Sequence, residues 1–215
     1  MATWGGKRSG AGRKLVGKRP TPPHRARPEL DARHPVHVVL RVRPDRMRLR
    51  QDWGYHAVRR VLPRYLGRDD FRIVHISIQH NHLHLLVEAA DRHALTRGMQ
   101  SFAINLAREL GCGKMFAHRY SATQIHTPFH ARHALAYILN NWRRHRENYE
   151  NGKELPASID PYSSAISFRG WRRPPTDVWR GYLPLDVSPP RTRMLRDDWL
   201  RFGKIGVHET PGPIY

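Results

Sequence analysis

The 215-residue chain has a single cysteine, Cys112. That excludes an intramolecular disulfide and any zinc site built from clustered cysteines, and it fits a reducing, cytoplasmic setting. No run approaches the roughly 18 apolar residues that a membrane span needs. The N-terminus is basic but lacks the apolar core of a secretory signal. Acidic residues are scarce: 18 Asp and Glu stand against 38 Lys and Arg, a formal net charge of +20 with an isoelectric point near 11.2. So large an excess on a small chain points to a polyanionic partner, with nucleic acid first and an anionic membrane surface second. The membrane alternative lacks an amphipathic helix that joins the basic tail to a strong apolar face. Apolar content is also low, at 39% with a mean hydropathy of -0.69. One domain with a modest core and polar extensions is expected, rather than two full domains.

Residues 1–33 form a basic arm in which Lys7, Arg8, Arg13, Lys14, Lys18 and Arg19 are spaced by Gly and Pro. Such a segment cannot bury enough apolar surface to fold alone. It reads either as an arm that tracks phosphates or enters a minor groove, or as a solvated tail. Order is expected over residues 34–150. Residues 36–42 alternate as a strand, with Val36, Val38, Leu40 and Val42 on one face and His37 and Arg41 on the other. That second face is a candidate for meeting nucleic acid. A basic run follows (Arg41, Arg43, Arg46, Arg48, Arg50), broken by Pro44. Val58, Val61, Leu62 and Leu66 predict a helix over 52–66, which Pro63 must kink or shorten.

Strands are predicted at 71–78 and 82–89, joined as a hairpin. A helix capped by Asp91 carries Leu95, Met99, Phe102, Leu106 and Leu110 as a core stripe, and Gly111 stops it. A last strand spans 118–127. Thr127-Pro128 then opens a helix over 130–149, with Leu135, Ile138, Leu139 and Trp142 inward. The expected class is α+β: a ferredoxin-like antiparallel sheet (βαββαβ) with helices on one face, followed by a further helix. The other face would lie open to a ligand. Residues 151–215 are rich in Pro, Arg and Trp. A short helix is expected near 193–202, and Trp171, Trp179 and Tyr182 are expected to pack back on the domain rather than stack on bases.

Two stretches carry candidate chemistry. In His82-Leu83-His84 the imidazoles share one strand face and Leu83, Leu85 and Val87 share the other. Two imidazoles one strand repeat apart can reach a single metal ion; alternatively they are surface histidines on a half-exposed strand. In the last helix, Tyr137 and Asn141 stand one turn apart on one face. They read either as a phenol and an amide aimed at that ion, or as a partly buried Tyr beside an ordinary surface Asn. His80 is open to three readings: third imidazole, phosphate contact, or turn residue, the last being preferred. Glu88 shares the histidine face but lies roughly 13 Å along the strand from His84, too far to join the same ion. Tyr120 is a rival nucleophile without a partner at helical spacing.

His82-Leu83-His84, Met99-Gln100-Ser101-Phe102, Phe116-Ala117-His118-Arg119-Tyr120 and Tyr137-Ile138-Leu139-Asn140-Asn141 occur in this order. Over residues 34–150 the pattern resembles the REP-associated tyrosine transposases, of the HUH (His-hydrophobic-His) single-tyrosine class. The resemblance implies His82, His84 and Asn141 as metal ligands for Mg²⁺ or Mn²⁺. It implies Tyr137 as the nucleophile that becomes linked to a 5′ phosphate of single-stranded or hairpin DNA. The arm cations, with Arg41, Arg43, Arg119, Arg143 and Arg144, are the candidate DNA contacts. No membrane partner is expected, and the protein would act as a monomer or homodimer. The competing reading is a domesticated nucleic-acid-binding protein of the same fold without turnover. A zinc hydrolase would need an Asp shortly after the second His, where Leu85-Leu86-Val87 stands.

Overall fold

The computed structural model describes residues 28–46, 48–147, 149–150, 153–154, 159–176, 178 and 183–212. The arm residues Lys7, Arg8, Arg13, Lys14, Lys18 and Arg19, and Trp179 and Tyr182 of the extension, lie outside the described residues. Four strands form one antiparallel sheet: β1 (Val36–Arg41), β2 (Phe71–Ile78), β3 (His82–Ala89) and β4 (Ser121–Gln124), in the order β2-β3-β1-β4. Strand β3 lies between β1 and β2, antiparallel to both. The connections run through α1 (Asp52–Val61) and α2 (Arg92–Glu109). This is the ferredoxin-like order the sequence predicts.

Alternation along the strands builds two cores. Val36, Val38 and Leu40 of β1 and Leu83, Leu85 and Val87 of β3 face α1 and α2. The same core takes Phe71 and Ile73 but also Ile76 and Ile78, which are out of step with them. A bulge between Ile73 and His75 corrects the phase, and Val74 and Leu86 turn to the opposite core. On α2 the Asp91 side chain accepts from Ala94 N–H at 2.6 Å, and Gly111 takes a left-handed φ of 62° past the helix end. Gly98 lets the Phe71 ring lie against α2, where a Cβ would meet that ring at 2.3 Å.

Three predicted boundaries move. The first helix ends at Val61, and Leu62–Tyr65 form a 3₁₀ turn containing Pro63, which lacks the N–H an α-helix needs. The strand predicted at 118–127 shortens to Ser121–Gln124. Phe116 bridges Val42 and Ser121 pairs Val39, so the four residues 117–120 run opposite only Leu40 and Arg41, and 118–120 loop away. The final helix, α3, is Pro128–Arg144. Thr127 caps it by accepting from His130 N–H, and Arg146 ends it in the left-handed region at φ 55°. Glu147 N–H then closes on Trp142 O at 2.8 Å.

The sheet face expected to be open is largely covered. Ala131, Leu135, Ile138 and Leu139 of α3 pack on Val74 and Leu86, and Phe168, Trp171 and Trp199 of the extension join them. Trp171 therefore packs inward, as expected. The predicted short helix is α4 (Arg193–Arg196) followed by a 3₁₀ turn at Asp198–Phe202. Residues 149–150 and 153–154 form a small ribbon, β5 and β6. Ile78 N–H donates to Tyr162 O, Ser164 N–H to Ile76 O and Ser188 N–H to Ile73 O, so the extension shields the β2 edge. Among the described residues no helix is long and apolar enough to cross a membrane.

Arg50, at the end of the basic run, is turned inward. Its guanidinium grips Asp160 at 2.8 and 3.1 Å and donates to Ile78 O at 2.9 Å, and the Arg50 and Asp160 side chains are 5% and 0% exposed. Breaking one side of such a pair strands a buried charge. The variant Asp160→Ala should lose about 3 kcal/mol or more in urea unfolding; an unchanged midpoint would show that the extension does not support the sheet.

Candidate active site

The β1–β3 register assembles the site. Val39 stands opposite His84, Arg41 opposite His82 and His37 opposite Leu86. Residues opposed across an antiparallel pair share a face. His82 and His84 therefore gather with His37 and Arg41 on the α3 side, while Leu83 and Leu85 anchor the strand in the other core. The Nε2 atoms of His82 and His84 lie 2.8 Å apart, with the rings nearly perpendicular. Behind them, His84 Nδ1 lies 2.9 Å from His37 Nε2, with the two ring planes 18° apart and the centroids 5.1 Å apart. His82 Nδ1 is 2.7 Å from Asn81 Oδ1. The four side chains make one chain of contacts.

Burial disfavours the charged form of each ring. It holds His37 at about 4, with His82 adding repulsion, and His82 at about 4, with Arg41 and His145 adding theirs. His84 lies well below its ordinary value, by burial first and then by His37, His82, His145 and Arg41. All three imidazoles are neutral at pH 7, the state a metal ligand requires.

Helix α3 brings Tyr137 to the same place. Its ring centroid lies 5.1 Å from that of His84 and 6.1 Å from that of His37, edge-on to both. Tyr137, His82, His84 and Arg41 line an open cleft of about 620 Å³. Asn141, one turn on, is fully buried, and neither its amide oxygen nor its nitrogen has a partner. The neighbouring Asn140 is spent on the extension, donating to Gly206 O and Glu209 O at 2.9 and 3.0 Å. Tyr120 packs in the α1/α2 core, 8% exposed and 3.3 Å from Thr96 Oγ1, away from the cleft. Glu88 accepts from Arg191 N–H and Thr192 N–H and so holds the extension.

The cleft also contains residues the sequence reading did not place there. Glu147, delivered by the turn at Arg146, lies 2.8 Å from His80 Nδ1 and 3.4 Å from Arg50 Nε. The Gln79 amide nitrogen donates to Glu147 at 2.6 Å while its oxygen accepts from Ser77 Oγ. His80, in the turn between β2 and β3, is therefore tied by its side chain to the turn that follows α3. Among the candidate DNA contacts, Arg41 and Arg119 are exposed. Arg43 pairs with Asp45 at 2.9 Å. Arg143 donates to Val207 O and covers the Trp142 ring, and Arg144 reaches Pro211 O at 3.4 Å. The structure thus gives these last two a tethering contact to the extension.

The donor set fits a divalent cation. Two neutral imidazole nitrogens converge, and the buried Asn141 amide has no protein partner. Among the described residues no group of three or more His, Cys, Asp or Glu is placed to hold a metal, and Asn141 is not among the residues that line the cleft. Water and substrate oxygens complete such a shell. Imidazole by itself favours a softer ion than Mg²⁺.

Comparison with known proteins gives a family and a fold. The family model described as transposase IS200-like matches residues 32–141. A solved structure of a REP-associated tyrosine transposase bound to a REP hairpin is similar at 18% identity. It covers 78% of this chain and 92% of that one, with a TM-score of 0.54. No curated protein matches at a significant level.

The buried histidines predict acid sensitivity. His37, His75 and His82 sit at about 4 against an ordinary 6.5, so across that interval the unfolded chain binds protons that the folded chain refuses. Their contribution is full above about pH 6.5 and is lost as pH falls toward 4. The shifted carboxylates Asp31, Asp45, Asp91 and Glu209 are all lowered, so their losses lie at more acidic pH. Thermal melts from pH 7.5 to 4 should show a Tm that falls across this window. A flat Tm would contradict neutral, buried imidazoles.

Proposed function

The chain belongs to the IS200-like transposase family, a family of DNA-processing enzymes, and on that basis we propose that it is a metal-dependent strand-transferase that cleaves and rejoins single-stranded or hairpin DNA through Tyr137. The observation that carries the reading is the meeting of Tyr137, from α3, with His82 and His84, from β3, at one cleft with the ring of Tyr137 5.1 Å from that of His84. The REP hairpin bound by the similar structure supports a hairpin substrate. The +20 charge supports a nucleic-acid partner of either form.

In this reading residues 34–150 are the catalytic unit, and His82, His84 and Asn141 hold Mg²⁺ or Mn²⁺. When bound, the ion withdraws charge from the scissile phosphate and orients it. Tyr137 Oη attacks phosphorus and gives up its proton to water, the bond from phosphorus to the 3′ oxygen breaks, and that oxygen takes a proton from water to leave as a 3′-hydroxyl. The phosphotyrosine conserves the bond, so a 3′-hydroxyl can reverse the step and join strands. Exposed Arg41, on the rim beside His82, attracts the phosphate. Arg43, Arg119, Arg143, Arg144 and the arm cations Lys7, Arg8, Arg13, Lys14, Lys18 and Arg19 track the backbone on either side.

Incubation with end-labelled hairpin oligonucleotides and Mn²⁺ should give a covalent adduct on a denaturing gel. Tyr137→Phe and His82→Ala should give none, and Asn141→Ala should need several-fold more Mn²⁺ for the same yield. An adduct persisting in Tyr137→Phe would place the nucleophile elsewhere. Tight DNA binding without any adduct would favour a binding protein of the same fold.

A further inference from the structure

A second cavity, of about 750 Å³, is larger than the Tyr137 cleft and shares no lining residue with it. It lies between β2 and the extension, and its size is that of a small-molecule pocket. Its inner wall is apolar, with Val74, Phe168, Leu195 and Trp199 all buried. The wall is held in shape. The Phe168 and Trp199 rings lie 5.6 Å apart, and Phe168 meets the His75 ring edge-on at 5.4 Å. Trp199 Nε1 donates to Leu195 O at 3.0 Å.

Two polar groups interrupt that wall. His75 is 6% exposed, with Nδ1 3.0 Å from Ser164 Oγ, and burial holds its ring uncharged at pH 7. Ser188 is 3% exposed. Its backbone N–H donates to Ile73 O at 2.8 Å, which fixes the residue on β2, yet its Oγ has no partner. A buried hydroxyl left without a partner is costly. A ligand atom that donates or accepts would satisfy it. The rim, in contrast, is cationic. Arg169, Arg196 and Lys204 are exposed there, and no Asp or Glu lines the cavity. Arg196 pairs with Asp197 at 3.0 Å, whereas the Arg169 and Lys204 side chains have no partner among the described residues.

From the inside outward the cavity thus offers apolar surface, hydrogen-bonding groups and then free positive charge. An alkyl chain would leave Ser188 Oγ unsatisfied. A bare anion would leave the apolar wall without a partner. A flat ring with a polar edge and an attached phosphate meets all three demands. We propose that this cavity binds one nucleotide, with its base against the apolar wall, the polar edge of the base at Ser188 and its phosphate at Arg169 and Lys204. A free nucleotide and an unpaired nucleotide of a bound strand share this chemistry, and the test separates them. The proposal does not rest on the reading of Tyr137, because no residue of this cavity takes part in the cleavage.

The test is equilibrium dialysis of the full-length chain, at physiological salt and without divalent metal. The probes are labelled dAMP, dGMP, dCMP and dTMP, a thymidine trinucleotide, and inorganic phosphate as the competitor. At least one of these nucleotide probes should bind saturably at one site per chain. Ser188→Ala should weaken it about 3- to 10-fold, the range for one lost hydrogen bond, and leave the Tm unchanged or higher, since no protein contact is lost. The double variant Arg169→Ala with Lys204→Ala should weaken it about 10-fold or more, because contacts to charged donors are the stronger ones. Tighter uptake of the trinucleotide than of dTMP, lost in the same variants, makes the bound unit part of a strand. Equal or weaker uptake makes it a free nucleotide. Three results would overturn the proposal: no saturable binding of any nucleotide probe, displacement by inorganic phosphate at the nucleotide's own concentration, or wild-type affinity in both variants.

Discussion

The pairing of β1 with β3 is the constraint on which the rest depends. Side chains alternate between faces, so a slip of one residue would turn His82 and His84 into the core and bring Leu83 and Leu85 to the cleft. The apolar half of each strand prevents that slip. Val36, Val38 and Leu40 against Val87, Leu85 and Leu83 are all at or below 2% exposure under α1 and α2. The histidines are thus held by residues that take no part in chemistry. The bulge at Val74 does the same for β2, keeping its second half in phase with the core while its edge is bonded to the extension.

The opposite face carries a conflict between burial and polarity, and the structure resolves it with partners. Apolar side chains of α3 and the extension cover most of that face. At the end left open, His37, His82, His84, Gln79, Arg50 and Glu147 contact one another, Asn81, Asp160 and Ile78 O. Buried polar groups of this kind are costly singly and rigid together. That rigidity is what a site needs if a phenol on one element is to meet a cation held by another. The Asn141 amide is buried and unpartnered on the Tyr137 helix face, as are Asn140 Oδ1 and Trp142 Nε1 beside it.

Much of this was legible in the sequence, because period-two and helical patterns report the side each residue faces. The strand alternation of β1 and β3, the α2 stripe with its Asp91 cap, and the inward packing of Trp171 follow from local pattern. What was not legible depends on contacts distant in the chain. The membership of His37 in the site needs the β1–β3 register, which no local pattern gives. Arg50 reads as one more surface cation until Asp160, 110 positions later, is brought beside it. The end of α3 was missed because Arg146 takes the left-handed turn where glycine is the usual signal. Glu147 was missed with it, since that turn carries it into the cleft. The spacing that paired Tyr137 with Asn141 rather than Asn140 was readable; that Asn140 is occupied by the extension was not.

The central claim is that Tyr137, beside His82 and His84, is the group that takes the DNA strand. Its most direct test is where the nucleotide sits on the chain. The wild-type protein, trapped with a hairpin oligonucleotide and Mn²⁺, is digested with nuclease and trypsin and mapped by mass spectrometry. The account predicts a residual nucleotide mass on the peptide between Arg132 and Arg143, fragmenting to Tyr137. A nucleotide mass on Tyr120 or on any other residue, with this peptide unmodified, would contradict it.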